Sequence, residues 1–327
     1  MRRNLLAREA GTLVLLVLVF VGAGLKEPRF WQADSLNSIL LWIPLLVVVG
    51  MGQMLVIVTR GIDVSVGSMV GLSGMLVGML FKDSPSTNVY FAMGLGLLIG
   101  AVLGSLNGLL ITRAKVPPII ATLGTLSAYR GLAFIVSGSK QIDGNNLPDA
   151  LTRLSLTGPI HMNGVTVPWI LLIALAIAGL AAFIVRSTRF GRDVFTLGSN
   201  PGGARLRGVP VIRTTFLVYA LTGALAGLAG VLYASRFGFV NPASAGSGLE
   251  LVVIAAVVIG GTKVSGGSGS VLGVLLGCLL LGTINVALSV LGIEATWQML
   301  VYGVVILIAL LVDKGVQGGL SRMQEAK

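Results

Sequence analysis

The chain has 327 residues, of which 55% are hydrophobic and only 11% charged, with a formal net charge of +11. Soluble domains carry about 25% charged residues, so most of this surface does not face water and a soluble globular reading is excluded. A nucleic-acid partner is excluded too, because the cations are divided among short segments between apolar runs and are not gathered into one patch.

Ten apolar runs follow one another, at 11–25, 36–58, 64–81, 89–112, 117–138, 166–185, 214–234, 249–262, 270–290 and 296–312. A spanning helix needs about 20 mostly apolar residues. The expected fold is therefore all-α, an integral membrane protein of about ten transmembrane helices. The first run has the basic start of a secretory signal, but Lys26, Glu27, Pro28 and Arg29 follow it without a small-residue cleavage site, so it reads as a retained helix. The eighth run is short unless it begins near Ala245. If it stays short it predicts a broken or re-entrant helix, which lipid tolerates only where protein covers it.

With the N-terminus placed inside, sixteen of the 23 Lys and Arg fall in inner segments, six in outer ones, and Arg130 within the fifth run. Cations retained on the cytoplasmic side set orientation, so both termini are expected in the cytoplasm of a multi-pass protein of the bacterial inner membrane. Arg130 is expected to snorkel to an interface or else to line a wet cavity, since a charge inside a span is costly. Segment 139–165 is expected outside, irregular, with a short helix or hairpin. Segment 186–213 is expected inside and holds six arginines against one acid, Asp193. No linker divides the chain, which reads as one membrane domain over 1–327.

Glycine, 46 residues, lies mostly inside the apolar runs. Gly96, Gly100, Gly104 and Gly108 recur every four residues, and Gly67/Gly71, Gly74/Gly78, Gly223/Gly227 and Gly273/Gly277 repeat the spacing. Small residues at this spacing let helix backbones approach in lipid, either as static packing or as a moving interface. A weak internal echo pairs Gly61-Ile-Asp-Val-Ser-Val-Gly-Ser68 with Gly261-Thr-Lys-Val-Ser-Gly-Gly-Ser268, five of eight positions matching. Both segments interrupt apolar runs, as broken helices do in corresponding halves of transporters.

Chemistry is sparse. Cys278, the one cysteine, sits in an apolar run and reads as a small hydrophobe; His161, the one histidine, sits in a polar segment. No metal and no cofactor are expected. There is no G-x-x-x-x-G-K-[ST] phosphate loop, so the chain is not expected to hydrolyse ATP, and Val264-Ser-Gly-Gly-Ser268 only superficially resembles an ATP-binding-cassette signature. No acid lies in the middle of a run, which argues against an ion-coupled carrier. A secondary carrier or facilitator for a small polar solute is nevertheless the alternative. A membrane enzyme would need clustered acids or histidines at one face. What the spans do hold is uncharged polarity. Gln53, Asp63, Ser65, Asn107, Thr122, Thr125 and Asn285 are candidates for a translocation path that hydrogen-bonds a neutral, hydroxyl-rich solute, and each also suits plain interhelical bonding.

The most informative segment is Arg189 to Pro210. Asn200 is placed to cap a short helix with Pro201 at its first position, over about 201–207, ended by Gly208. Such a helix is too short to stand alone and needs a partner surface.

The chain resembles the permease subunits of ribose-type, monosaccharide-importing ABC transporters over nearly its whole length. The resemblance is carried by Gly61–Ser68, Pro118-Ile-Ile-Ala-Thr-Leu-Gly-Thr125, Gly191-Arg-Asp-Val-Phe-Thr-Leu-Gly-Ser-Asn200, Ala204-Arg-Leu-Arg-Gly-Val209 and Val258-Ile-Gly-Gly-Thr262 with Gly266-Gly-Ser-Gly269. It implies that the inner loop is the coupling segment toward an ATPase, with Gly191, Arg192, Gly198, Asn200, Ala204, Arg205 and Gly208 as its candidate residues. It also implies a second permease copy or paralogue, a tandem ATP-binding-cassette subunit and a soluble solute-binding protein. Segment 139–165 matches no one sugar's subfamily, so the solute stays open.

Overall fold

The computed structural model describes residues 2–294, with side-chain surroundings from residue 9, and beyond them residues 297, 300, 303, 304 and 307. The tenth apolar run, 296–312, lies outside the described residues apart from those five.

The elements are α1 (Arg2–Lys26), a 3-10 turn (Pro28–Trp31), α2 (Ala33–Val58), α3 (Val66–Asp83), α4 (Val89–Thr112) and α5 (Pro118–Ser137). A 3-10 turn (Gly144–Asn146), α6 (Asp149–Leu156) and a hairpin of β1 (Ile160–Met162) and β2 (Val165–Val167) follow. The chain continues as α7 (Trp169–Ser187), α8 (Arg189–Ser199), α9 (Pro201–Leu206), α10 (Val211–Phe237), α11 (Leu249–Ile259) and α12 (Val271–Val290).

Among the described residues, eight helices are long and apolar enough to cross a membrane: α1–α5, α7, α10 and α12. The expected eighth span is not one of them. Its helix, α11, has 11 residues, about 16 Å at 1.5 Å per residue, roughly half of a 30 Å hydrocarbon layer. Glycines confine it: Gly246 and Gly248 before it take φ +67° and +77°, and Gly261 after it takes φ +91°. The broken-helix version of the expectation is therefore the one that holds.

α2 is the axis of the bundle. Its side chains are buried without interruption from Ile43 to Val58, and it packs against α7, α10, α11 and α12. The perimeter is apolar and exposed: Leu13, Leu18 and Leu25 on α1, Tyr90, Leu98 and Val102 on α4, Ile135 on α5, and Leu180 and Phe183 on α7. Patches of this extent are a liability in water and the normal surface in lipid.

The glycine pairs read from the sequence are contact points. A Cβ on Gly100 would stand 2.0 Å from the Gly223 carbonyl oxygen, and one on Gly227 2.0 Å from that of Gly96. α4 and α10 thus touch backbone to backbone. On α3, Gly74 meets Gly230 of α10; on α12, Gly277 meets Ala256 of α11.

Segment 139–165 holds both a short helix and a hairpin. The turn Asn163-Gly164 has φ +50° and +81°, the left-handed pair that two-residue hairpins need. Asn37 of α2 pins it, its side chain donating to Gly164 O (3.0 Å) and accepting from Thr166 N (2.8 Å).

Candidate functional site

The site begins where α2 stops. Arg60 at φ +67° and Gly61 end the helix, and residues 61–65 run without regular structure into α3. The Asp63 carboxylate is wholly buried there. One oxygen accepts from Ser65 N (2.9 Å) and Ser65 Oγ (2.6 Å); the other accepts from Asn107 Nδ2 of α4 (3.4 Å). Asn107 also donates to Ser65 Oγ (2.8 Å) and accepts from the Tyr129 hydroxyl of α5 (3.3 Å). Thr122 of α5 donates to Ile62 O (3.2 Å). In the orientation that satisfies both its ends, the Gln53 amide brackets the Asp63 backbone N and O, each at 3.2 Å. Burial pushes the Asp63 carboxyl above the usual carboxylate range, opposed by the bonds from Ser65 and then Asn107.

Five of the seven path candidates, Gln53, Asp63, Ser65, Asn107 and Thr122, are thus brought together in one closed network. Thr125 lies beside it and bonds within its own helix, to Thr122 O (3.4 Å). Asn285 is half-buried on α12, while the network's bonds run through α2 to α5.

The second break, 260–270, meets the first. Gly267 N donates to Val58 O, on the last residue of α2, at 2.9 Å. Gly266 and Gly267 take φ +87° and +72°, a region glycine enters without steric cost. The second echo segment therefore lies against Val58 and Arg60, the residues that lead into the first, joined by the last carbonyl of α2.

The Arg189–Pro210 segment closes this junction. α8 turns its buried face, Gly191, Val194, Leu197 and Gly198, toward the bundle. Arg60 donates through Nε to Gly198 O (2.6 Å) and through Nη2 to Ser199 O (2.8 Å). Ser199 Oγ reaches Gly267 O (3.4 Å). A Cβ on Gly198 would fall 1.8 Å from Val58 O and 2.6 Å from Gly267 N, so only glycine fits between the two breaks. At Gly191 a Cβ would meet Ile184 O and Val185 O, both at 2.5 Å, so glycine lets α8 fold back on the end of α7.

α9 follows at once and has the expected build. Asn200 Oδ1 accepts from Gly203 N (2.9 Å), Pro201 opens the helix, and Gly208 beyond it takes φ +74°. Only Ala204 is buried; Arg205 and Arg207 are exposed, and Leu206 is 92% exposed. Arg192 is exposed on α8.

Arg130 has partners within the protein: Nη1 donates to Ala245 O (2.6 Å) and Pro242 O (3.2 Å) of the irregular chain that precedes α11. A Cβ on Gly71 would sit 2.5 Å from that same Ala245 oxygen. A guanidinium carries five donors, and here it satisfies backbone carbonyls of a non-helical segment that lipid alone would leave bare.

A permease model described as "Branched-chain amino acid transport system / permease component" matches residues 35–310, a span that contains both breaks, α8 and α9. The chain belongs to this permease family. The permease is 37% identical to "Autoinducer 2 import system permease protein LsrC" of Escherichia coli (strain K12 / DH10B), covering 96% of this chain and 89% of the relative. It is similar to the LsrC proteins of Salmonella paratyphi B, at 36% over 96% of this chain and 88% of the relative, and of Photorhabdus laumondii, at 37% over 94% and 89%. No solved structure matches the permease. The family read from the motifs, permease subunits of ABC importers, is the one found.

Two parts of the permease junction escaped the sequence reading. Arg60 was counted only as an inner cation, and Val58 as part of a run. The available signal was Arg60-Gly61 itself, a cation and a helix terminator together at the end of a long apolar run.

Proposed function

We propose that this permease is the transmembrane subunit of an ATP-driven importer for a sugar or sugar-like solute, and that α9 is the element its ATPase moves. The observation that carries this reading is the seating of Gly198 and Ser199 on both breaks at once. A force on α9 passes through α8 directly to the ends of α2, α3, α11 and α12. Gly191, Gly198 and Ala204 supply the close fit, Asn200 and Gly208 shape the helix, and Arg192 and Arg205 face the ATPase. The relatives' names support the solute class, since autoinducer 2 is sugar-like.

The remaining parts follow from this role. The chain has no phosphate loop of its own, so a tandem ATP-binding-cassette partner supplies hydrolysis. A soluble binding protein delivers solute, and a second permease, copy or paralogue, completes the path. Gln53, Asp63, Ser65, Asn107, Thr122, Thr125 and Asn285 form the polar wall and pivot behind that path. The cation asymmetry supports ten spans in one membrane domain of the bacterial cytoplasmic membrane, with both termini, α8 and α9 in the cytoplasm.

Uptake of labelled sugar in cells with and without the ATPase subunit tests the reading. Uptake is expected to vanish without the ATPase; persistence would instead establish a carrier or facilitator. Orientation is checked with a cysteine at Ser199 in a Cys278→Ala background, which should react with an impermeant maleimide only after the cells are opened.

A further inference from the structure

At the end of the α4–α10 seam, on the face that carries α9, lies a groove of about 710 Å³. Three guanidiniums line it: Arg113 just past α4, Arg205 on α9 and Arg213 in the first turn of α10. None has an ion-pair partner among the described residues. No acid occurs anywhere in 84–142 or 194–249, so neither flanking stretch supplies a counter-charge. Apart from Thr112, the rest of the wall is apolar, including Leu109, Ile212 and Phe216.

Position narrows the occupant. The groove sits where one spanning helix ends, at Thr112, and another begins, at Val211, which is the depth of lipid headgroups. From its mouth an exposed apolar stripe climbs α4 through Leu109, Leu106 and Val102, 46%, 47% and 54% exposed. These positions are spaced to share one helix face. Three unpaired cations beside an apolar track ask for a ligand with an anionic head and a hydrocarbon tail. A free phosphate would leave the track unused. Of the side chains on this face, Arg205, assigned above to the ATPase, also lines the groove, while Arg192 and the exposed Leu206 take no part in it.

We propose that this groove holds the headgroup of one anionic phospholipid, with an acyl chain along the α4 stripe. The lipid then bridges α4, α9 and α10, and ties the short helix to the seam behind it. Basic pockets between transmembrane helices recognise such headgroups by charge. The inference needs the chain to span a bilayer but does not depend on which solute crosses.

The test uses the purified full-length permease in detergent, with phosphatidylglycerol, phosphatidylcholine or glycerol 3-phosphate added, and bound lipid counted by mass spectrometry. Phosphatidylglycerol is expected to remain bound at one per chain and to raise the unfolding midpoint; the other two additives should do neither. Arg113→Gln and Arg213→Gln should each weaken binding about fivefold, while Arg113→Lys with Arg213→Lys should retain most of it, which controls for folding. Equal retention by the double Gln variant would overturn the site. Equal stabilisation by glycerol 3-phosphate would overturn the lipid in favour of a phosphate ion. A cysteine at Ile212 that cross-links to the ATPase in the assembled complex would overturn it in favour of a protein interface.

Discussion

The α4–α10 seam and the junction of the two breaks are both built on glycine, yet they hold in different ways. In the seam the glycines stay in regular helix, and removing their side chains lets Gly100 and Gly223 meet carbonyl to Cα along several turns. Every backbone bond there is satisfied within its own helix, so the seam is held by close contact over a long, dry face. In the junction, Gly266 and Gly267 leave helical conformation altogether. Among the described residues, hydrogen bonds from Gly267 N, Arg60 Nε, Arg60 Nη2 and Ser199 Oγ join the three chain segments, the neutral ones worth about 0.5–1.5 kcal/mol net and those from Arg60 about 1.5–3 kcal/mol. The seam makes two long helices one body, whereas the junction is a joint between bodies that a partner can rearrange at modest cost. Glycine content alone does not distinguish the two; backbone conformation does.

The contrast can be broken first at the seam. Gly100→Leu should abolish accumulation of folded permease, because no flexible neighbour can yield to the new side chain; Gly100→Ala should destabilise by roughly 3 kcal/mol, the upper range for overpacking. Both are read from the detergent-resistant folded fraction and its unfolding midpoint. If Gly100→Ala is neutral, the seam is looser than described.

The joint should respond differently. Gly198→Ala, whose Cβ must displace Val58 O and Gly267 N, is expected to open the joint and cut transport at least tenfold, an estimate equal to about 1.4 kcal/mol in the coupling equilibrium. Its loss of folded fraction should be smaller than that of Gly100→Ala, because the joint can part. Reconstitution with the ATPase and binding protein measures this, and loss of folding in step with transport would erase the distinction from the seam.

The buried Asp63 sharpens the comparison. Its folded carboxyl titrates above the ordinary value of 3.8, so the folded state holds a proton that the unfolded chain has already released. Its contribution is full below the unfolded value and is lost as pH rises through the folded one. The unfolding midpoint should therefore fall as pH is raised across that window. Asp63→Asn should flatten the slope, and an unchanged slope would remove Asp63 as its source.

The smallest effects belong to α9. Asn200→Ala removes a capping bond worth about 1 kcal/mol. Gly208→Val meets no neighbour within 4 Å and adds only left-handed strain, on the order of 1–2 kcal/mol. Each should fray the short helix, lower solute-stimulated ATPase activity several-fold and leave the midpoint unmoved.

Much of this was legible along the chain. Apolar runs of spanning length placed the helices, because lipid forces each backbone to satisfy itself within one segment. Asn200, Pro201 and Gly208 announced α9, since capping acts over three or four residues and is written locally. Gly61–Ser68 and Gly261–Ser268 announced the breaks. The folded molecule alone decided what those pieces meet. Arg60 finds Gly198 across 138 positions, Ser199 finds Gly267 across 68, and Asn107 finds Asp63 across 44. Arg130 was read as a cation bound for an interface or a wet cavity because its own helix shows only lipid-length apolar neighbours. Its carbonyl partners lie more than a hundred residues away, on a segment whose helix was too short to reach across the bilayer. Local signals determine where a helix starts, stops or breaks, while the partner of a buried polar group is set by whichever distant backbone the packing leaves unsatisfied beside it.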